Sequence, residues 1–189
     1  DKNGIIFGSI DKLVEIEQDG IKFLVDIANG QKTGFFFDLR DIRRKVREIS
    51  NGKNVLDLFC YSGGFSLYAA TGGANQITGI DSSKSALEIA KENAKINNIN
   101  NVHFESADVF DFLRNNKEKF DIIILDPPSF TKTKKEVNSA RRGYKELNIQ
   151  AMKHLSKNGI LFTSCCSHHF TRDDFLKIIS RCREITVRI

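Results

Sequence analysis

A chain of 189 residues, 40% apolar and 28% charged with two prolines, can bury roughly 70% of the surface its unfolded form exposes, and its composition is that of a globular protein and not of a disordered, fibrous or membrane one. Twenty-nine Lys and Arg against 24 Asp and Glu give a net charge of +5, a bias suited to a polyanionic partner. No apolar run approaches the roughly 18 residues of a membrane span, and the opening Asp1-Lys2-Asn3-Gly4 is unlike a secretion signal, so the expectation is a cytoplasmic protein with no membrane partner.

In chain order, residues 1–50 read as a β-hairpin appendage and a linker helix. Leu13-Val14-Glu15-Ile16 and Ile21-Lys22-Phe23-Leu24-Val25 flank Asp19-Gly20, a dipeptide that favours the tight turn of a hairpin. Gly34-Phe35-Phe36-Phe37-Asp38-Leu39-Arg40-Asp41 then leads into a helix carrying Arg43, Arg44, Lys45 and Arg47. From residue 51 to 189, short β-rich runs alternate with helical patterns, which defines an α/β class with a mostly parallel, doubly wound sheet. The strands expected are Asn54–Phe59, Gln76–Asp81, Val102–Ser106, Phe120–Asp126, Gly159–Cys166 and Glu184–Ile189. Helices are expected over Phe65–Thr71, Lys84–Asn97, Val109–Asn115, Asn138–Leu155 and Asp173–Cys182. A complete fold of this class usually continues past a sixth strand, so the sequence is expected to be truncated at its C-terminus.

Four cysteines, Cys60, Cys165, Cys166 and Cys182, show neither Cys-x-x-Cys nor matching histidine spacing, so no metal and no disulfide framework are expected. They read as reduced thiols available for chemistry.

The first strand runs into Phe59-Cys60-Tyr61-Ser62-Gly63-Gly64-Phe65. In an open parallel sheet, ligands sit beyond the carboxyl ends of the strands, where paired glycines let backbone amides approach closely. The turn matches neither Gly-x-Gly-x-x-Gly nor a phosphate loop, and the neighbouring Asp57 suits a cationic ligand. Asp81 ends the second strand, where a carboxylate holds a ribose diol in nucleoside-binding folds. Asp108 follows the third, where an adjacent amide can read an adenine edge. One such Asp is usually a helix cap, but three at successive strand ends argue for a shared ligand. The fourth strand ends in Asp126-Pro127-Pro128-Ser129-Phe130, whose prolines stiffen the backbone so that it can grip the amino edge of a flat base while Phe130 stacks on it.

In that order these segments resemble motifs one to four of the class I S-adenosylmethionine-dependent methyltransferases. With Gly30-Gln31-Lys32-Thr33-Gly34-Phe35-Phe36-Phe37-Asp38-Leu39-Arg40-Asp41, Arg141-Arg142-Gly143-Tyr144-Lys145-Glu146-Leu147-Asn148 and Thr163-Ser164-Cys165-Cys166-Ser167, the chain is similar to the bacterial 23S ribosomal RNA large-subunit cytosine-5 methyltransferases that carry an N-terminal PUA domain. The resemblance implies a Rossmann-like fold and an S-adenosyl-L-methionine pocket built from Lys32, Phe36, Asp38 and Arg40; Asp57, Phe59, Ser62, Gly63, Gly64 and Phe65; Asp81 and Ser82; Asp108 and Val109; and Asp126 and Pro127. It also implies a flipped-out cytosine facing the methyl group. The PUA part is absent from these 189 residues, and Leu39 stands where many relatives have Gln.

Carbon 5 of cytosine is a poor nucleophile, so methylation there calls for a thiolate that adds to carbon 6. Cys165 and Cys166, on the expected strand, point to opposite faces, and the family register selects Cys166, with Asp126 holding the N3 and amino edge of the base. Phe130, Lys132, Arg141, Arg142 and Lys145, with Lys134, Lys135, Arg40, Arg43 and Arg44, are candidates to line the RNA approach, whereas His168 and His169 read as loop residues. The alternatives are methylation of a guanine or adenine nitrogen through Asp126-Pro127-Pro128, a nicotinamide-dependent oxidoreductase, and a non-catalytic RNA-binding module. Monomer and homodimer are both open.

Overall fold

The structure, a computed structural model, describes residues 7, 9, 12–131, 136–167 and 170–186. Asp19 and Gly20, both at positive φ, turn β1 (Val14–Gln18) back onto β2 (Ile21–Val25) as an antiparallel hairpin. Period-2 alternation aims Ile21, Phe23 and Val25 inward, where they pack with Leu67, Tyr68, Leu87 and Ala90. Each large apolar side chain buried in this way contributes about 1.5–3 kcal/mol. A 3-10 turn over Phe37–Leu39 leads into α1 (Arg40–Ile49).

The sheet consists of β3 (Asn54–Leu58), β4 (Gln76–Asp81), β5 (Val102–Ser106), β6 (Phe120–Leu125) and β7 (Leu155–Thr163), paired in parallel in the order β5-β4-β3-β6-β7. Between the strands run α2 (Gly64–Thr71), α3 (Lys84–Ile96), α4 (Val109–Asn115) and α5 (Val137–Lys153), and α6 (Arg172–Thr186) follows the sheet. The central strands are apolar on both faces, as parallel strands covered on both sides must be. Ile122 and Ile124 of β6 pack with Val46, Phe65 and Ala69, whereas Ile123 and Leu125 pack with Val109, Leu113, Leu147 and Ala151. This is the expected α/β architecture. The strand order reverses between β3 and β6, and such a switch point opens a crevice beyond the carboxyl ends of the strands. Among the described residues no helix is long and apolar enough to cross a membrane.

Two expected elements differ. The fifth strand of the α/β region was expected over Gly159–Cys166, but β7 begins at Leu155 opposite Phe120, bulges, and rejoins the ladder at Ile160 opposite Ile122. Asn158 supplies a residue at φ 65° in that bulge, so Ser156-Lys157-Asn158-Gly159 interrupts the strand without beginning it. Beyond Thr163 a last backbone bond, from the Ser164 amide to the Leu125 carbonyl, closes the pairing with β6, and Cys165 and Cys166 lie in the following loop. The expected strand Glu184–Ile189 is helical as far as Thr186, in a helix whose Phe175, Ile178 and Cys182 share one packed face; 187–189 lie outside the described residues.

Candidate active site

At the switch point lies a cleft of about 400 Å³, within the size range of small-molecule sites. Its floor is the turn after β3. Phe59 and Tyr61 adopt left-handed backbone at φ 62° and 50°, and Gly63 does so at 82°, a conformation that costs non-glycine residues free energy and clusters at functional sites. A hydrogen bond from Gly63 N to Cys60 O at 2.8 Å closes the turn. The Tyr61 amide donates to Asp81 Oδ2 at 2.9 Å and the Ser83 amide to Asp81 Oδ1 at 2.8 Å, so one carboxylate ties the glycine turn to the end of β4.

Of the residues expected in a cofactor pocket, Lys32, Phe36, Asp38, Phe59, Ser62, Gly64, Phe65, Asp81, Ser82, Asp126 and Pro127 line the cleft together with Cys166. The others lie elsewhere. Gly63 forms the bend beneath it, and Asp57 is 1% exposed under the floor, accepting from the amide and hydroxyl of Ser66 at 2.9 and 2.6 Å. Burial pushes the Asp57 carboxyl up to about 7. Asp108 caps α4 by accepting from the Asp111 amide at 3.1 Å, and Val109 is buried between sheet and helix. Arg40 does not line the cleft; with Arg44 it grips Asp19 in the hairpin turn, both Nη2 atoms 2.6 Å from Asp19 Oδ1.

On the opposite wall, burial raises the Asp126 carboxyl above its ordinary value while the Ser164 hydroxyl donates to it. Cys166 is exposed, with Sγ 3.6 Å from the Pro127 carbonyl oxygen to which it donates, and Cys165 packs on the cluster of Tyr144, Ile178 and Cys182. The two thiols therefore do point apart, through loop geometry and not through strand alternation. Ser167 fixes the loop: its hydroxyl lies 3.0 Å from that of Ser129 and 2.9 Å from that of Tyr144. Loss of hydration and then the Asp126 carboxylate push the Cys166 thiol above its ordinary value, with Lys32 acting weakly the other way.

The basic residues separate. Arg43 is 3% exposed and lines the cleft from within, which removes it from any RNA-facing surface. Arg141 pairs with Asp174 at 3.5 Å and lies over the Phe170 ring, while Arg142 and Lys145 are exposed on α5. Phe130 packs on Tyr144 and Phe110, with ring centroids 4.7 and 6.2 Å away. It is half-buried beside the core and does not stand free as a stacking platform. Lys132, Lys134, Lys135, His168 and His169 lie outside the described residues. Sequence reasoning missed Arg43 and Tyr61 as cleft residues. The signal for Arg43 was its phase, since it precedes buried Val46 by three residues on α1 and so shares the buried face. Tyr61 carried no comparable signal. Among the described residues no three His, Cys, Asp or Glu side chains converge as a metal site would require.

A parallel sheet whose strand order reverses over a cleft, with carboxylates at the ends of β4 and β6 and a left-handed glycine turn after β3, defines a Rossmann-like enzyme that binds a nucleoside cofactor. A model of the S-adenosylmethionine-dependent methyltransferases matches residues 6–186, and the chain belongs to that family; its cofactor is S-adenosylmethionine. It is 42% identical over 187 residues to the ribosomal RNA large subunit methyltransferase I of Aeromonas hydrophila, covering 95% of this chain and 47% of that protein. It is 45% identical over 174 residues to the protein of the same name from Photobacterium profundum, covering 89% and 44%. The fold matches the crystal structure of the methyltransferase SMU.776 complexed with SAH at a TM-score of 0.84 and 33% identity, over 94% of this chain and 48% of that one. The chain thus spans about half the length of the curated relatives it matches.

Proposed function

We propose that this chain is the catalytic part of a cytoplasmic RNA methyltransferase that modifies carbon 5 of a cytosine in 23S ribosomal RNA, with Cys166 as nucleophile. The observation that carries this reading is the placement of Cys166 Sγ on the cleft wall beside Asp126 and Pro127 while Cys165 is packed away. The naming of the relatives as ribosomal RNA methyltransferases supports the choice of substrate.

The cleft fits the cofactor. Asp57 Oδ1 and Arg43 Nε are buried polar atoms without partners, and both adjoin the glycine turn. Asp81 and Ser82 would face the ribose hydroxyls, Phe36 and Lys32 would close the pocket from the N-terminal side, and Asp108 with Val109 would stand near the adenine edge. When bound, the cofactor supplies an electrophilic methyl group on a sulfonium. Division of the chain into 1–50 and 51–189 belongs to the same reading: among the described residues, Lys32, Phe36, Asp38 and Arg43 close one side of the cleft, and β3 to β7 supply the sheet.

In the proposed chemistry Cys166 loses its proton to water and the thiolate bonds to carbon 6 of the cytosine as the carbon 5–carbon 6 π bond opens and N3 takes a proton from Asp126, which makes carbon 5 an enamine-like nucleophile. Asp126 holds the N3 and amino edge, and its raised pKa suits a group that shares a proton with N3. After methylation a base removes the carbon 5 proton and the carbon–sulfur bond breaks. Because the thiol pKa is raised, positive charge brought into the cleft must stabilise the thiolate before it can attack. RNA carrying 5-fluorocytosine at the target is the direct test, because fluorine at carbon 5 blocks the final elimination. A covalent complex that survives denaturation and disappears in Cys166→Ala is expected. Methylation of ordinary RNA without any adduct on the fluorinated RNA would overturn the cytosine reading in favour of a base nitrogen.

A further inference from the structure

Among the described residues Arg43 is a buried cation with no ion-pair partner; the Asp57, Asp126 and Asp38 carboxylates act on it only at longer range. It is 3% exposed, its Nε is buried without a partner, and its hydrogen bond runs from Nη1 to Gln18 Oε1 at 3.4 Å. Burial, the dominant influence, lowers its pKa. The guanidinium lies over the Phe35 and Phe65 rings at 4.4 and 5.6 Å, contacts that orient it without cancelling its charge. Nε and Nη2 lie 3.0 and 3.1 Å from where a Cβ on Gly64 would sit, so the cation is pressed against the first residue of α2. That helix has no side-chain cap; Asp57 takes the Ser66 amide, and the helix N-terminus itself carries partial positive charge. Two positive groups therefore meet at the edge of one cleft. Buried charges are ordinarily paired, and a helix N-terminus beside a guanidinium is a ready anion site.

We propose that Arg43 is the counter-ion of the cofactor's α-carboxylate and makes the site selective for a nucleoside that keeps its amino-acid tail. Asp38 lines the same cleft and supplies the opposite sign for the tail's ammonium, so the walls carry both charges that a zwitterion needs. Asp57 forms no ion pair with Arg43: its Oδ2 takes the amide and hydroxyl of Ser66, and burial favours its neutral form. The inference rests on the reading that the cofactor occupies this cleft.

Calorimetry with S-adenosylmethionine and with its decarboxylated analogue, which differs only in the carboxylate, tests it. The wild-type chain is expected to bind the decarboxylated ligand about 10- to 100-fold more weakly, the range for a hydrogen bond to a charged group. Arg43→Met should lose a similar factor on S-adenosylmethionine and little on the analogue, with Arg43→Lys in between. Equal losses on both ligands, or a wild-type chain indifferent to the carboxylate, would overturn the proposal; the second criterion holds even if Arg43→Met fails to fold. Asp81→Ala separates this from the underlying reading, since it should weaken both ligands equally, and no change in either would place the cofactor elsewhere.

Discussion

Asp57 shows how a single buried group in the motif turn sets a pH dependence. With its carboxyl raised from 3.8 to about 7 by burial, the folded chain holds a proton that the unfolded chain releases between about pH 4 and 7. The fold therefore binds more protons than the unfolded state in that window, and stability falls as pH rises through it, by on the order of 1.4 kcal/mol per unit of separation between the two pKa values. Asp57→Asn, which keeps an acceptor for Ser66, should flatten that fall in denaturant titrations at pH 4.5 and 8; an unchanged slope would mean that Asp57 is ionised in the fold. At this scale the sequence was informative where chemistry restricts residue type. Asp81, Asp126, Ser62, Gly64 and Cys166 were identified as cleft residues and line it. It was uninformative where environment decides, because nothing local distinguishes the enclosed Arg43 from the exposed Arg44 beside it except helical phase, and nothing local shows that Arg40 spends its charge on Asp19.

Among the elements, the hairpin is held to α1 by that same clamp. Asp19 accepts from Arg40, Arg44 and the Tyr68 hydroxyl, the last at 2.7 Å, and the two guanidinium groups hold its carboxyl far below the usual carboxylate range. A lowered folded-state pKa contributes stability that is present above the ordinary carboxylate value and lost as pH falls below it. Asp19→Asn keeps the left-handed turn, since Asn tolerates positive φ. It should lower the thermal midpoint at pH 7 and lower it less near pH 2.5; an equal deficit at both would show that the charge is immaterial. Most elements were legible because their apolar periods are clean: β4 and β5 fall at the expected residues and α4 at Val109–Asn115. The failures have particular causes. A bulge at Asn158 hid the true start of β7, and β-branched residues at the chain end read as strand where tertiary packing of Phe175, Ile178 and Cys182 favours helix.

For the whole molecule, the order β5-β4-β3-β6-β7 places the cleft at the switch point between β3 and β6. Arg142 and Lys145 are exposed on α5, which follows the Asp126-Pro127-Pro128 turn in the chain. If they meet RNA phosphates, binding should weaken steeply with salt, and Arg142→Ala with Lys145→Ala should together flatten the slope of log affinity against log salt by about 1.4. An unaltered slope would assign the RNA path to another face. The topology was readable from alternating strand and helix signals. Which basic residues face outward was not, because that depends on pairings such as Arg141 with Asp174 that form only in the folded chain. The central claim is that Cys166, and not Cys165, attacks a cytosine in the cleft, and single-turnover methylation of a 23S ribosomal RNA fragment by each alanine variant tests it most directly. Cys166→Ala is expected to abolish methyl transfer while S-adenosylmethionine affinity is retained, and Cys165→Ala to remain active; full methylation by Cys166→Ala would contradict the assignment of Cys166 as nucleophile.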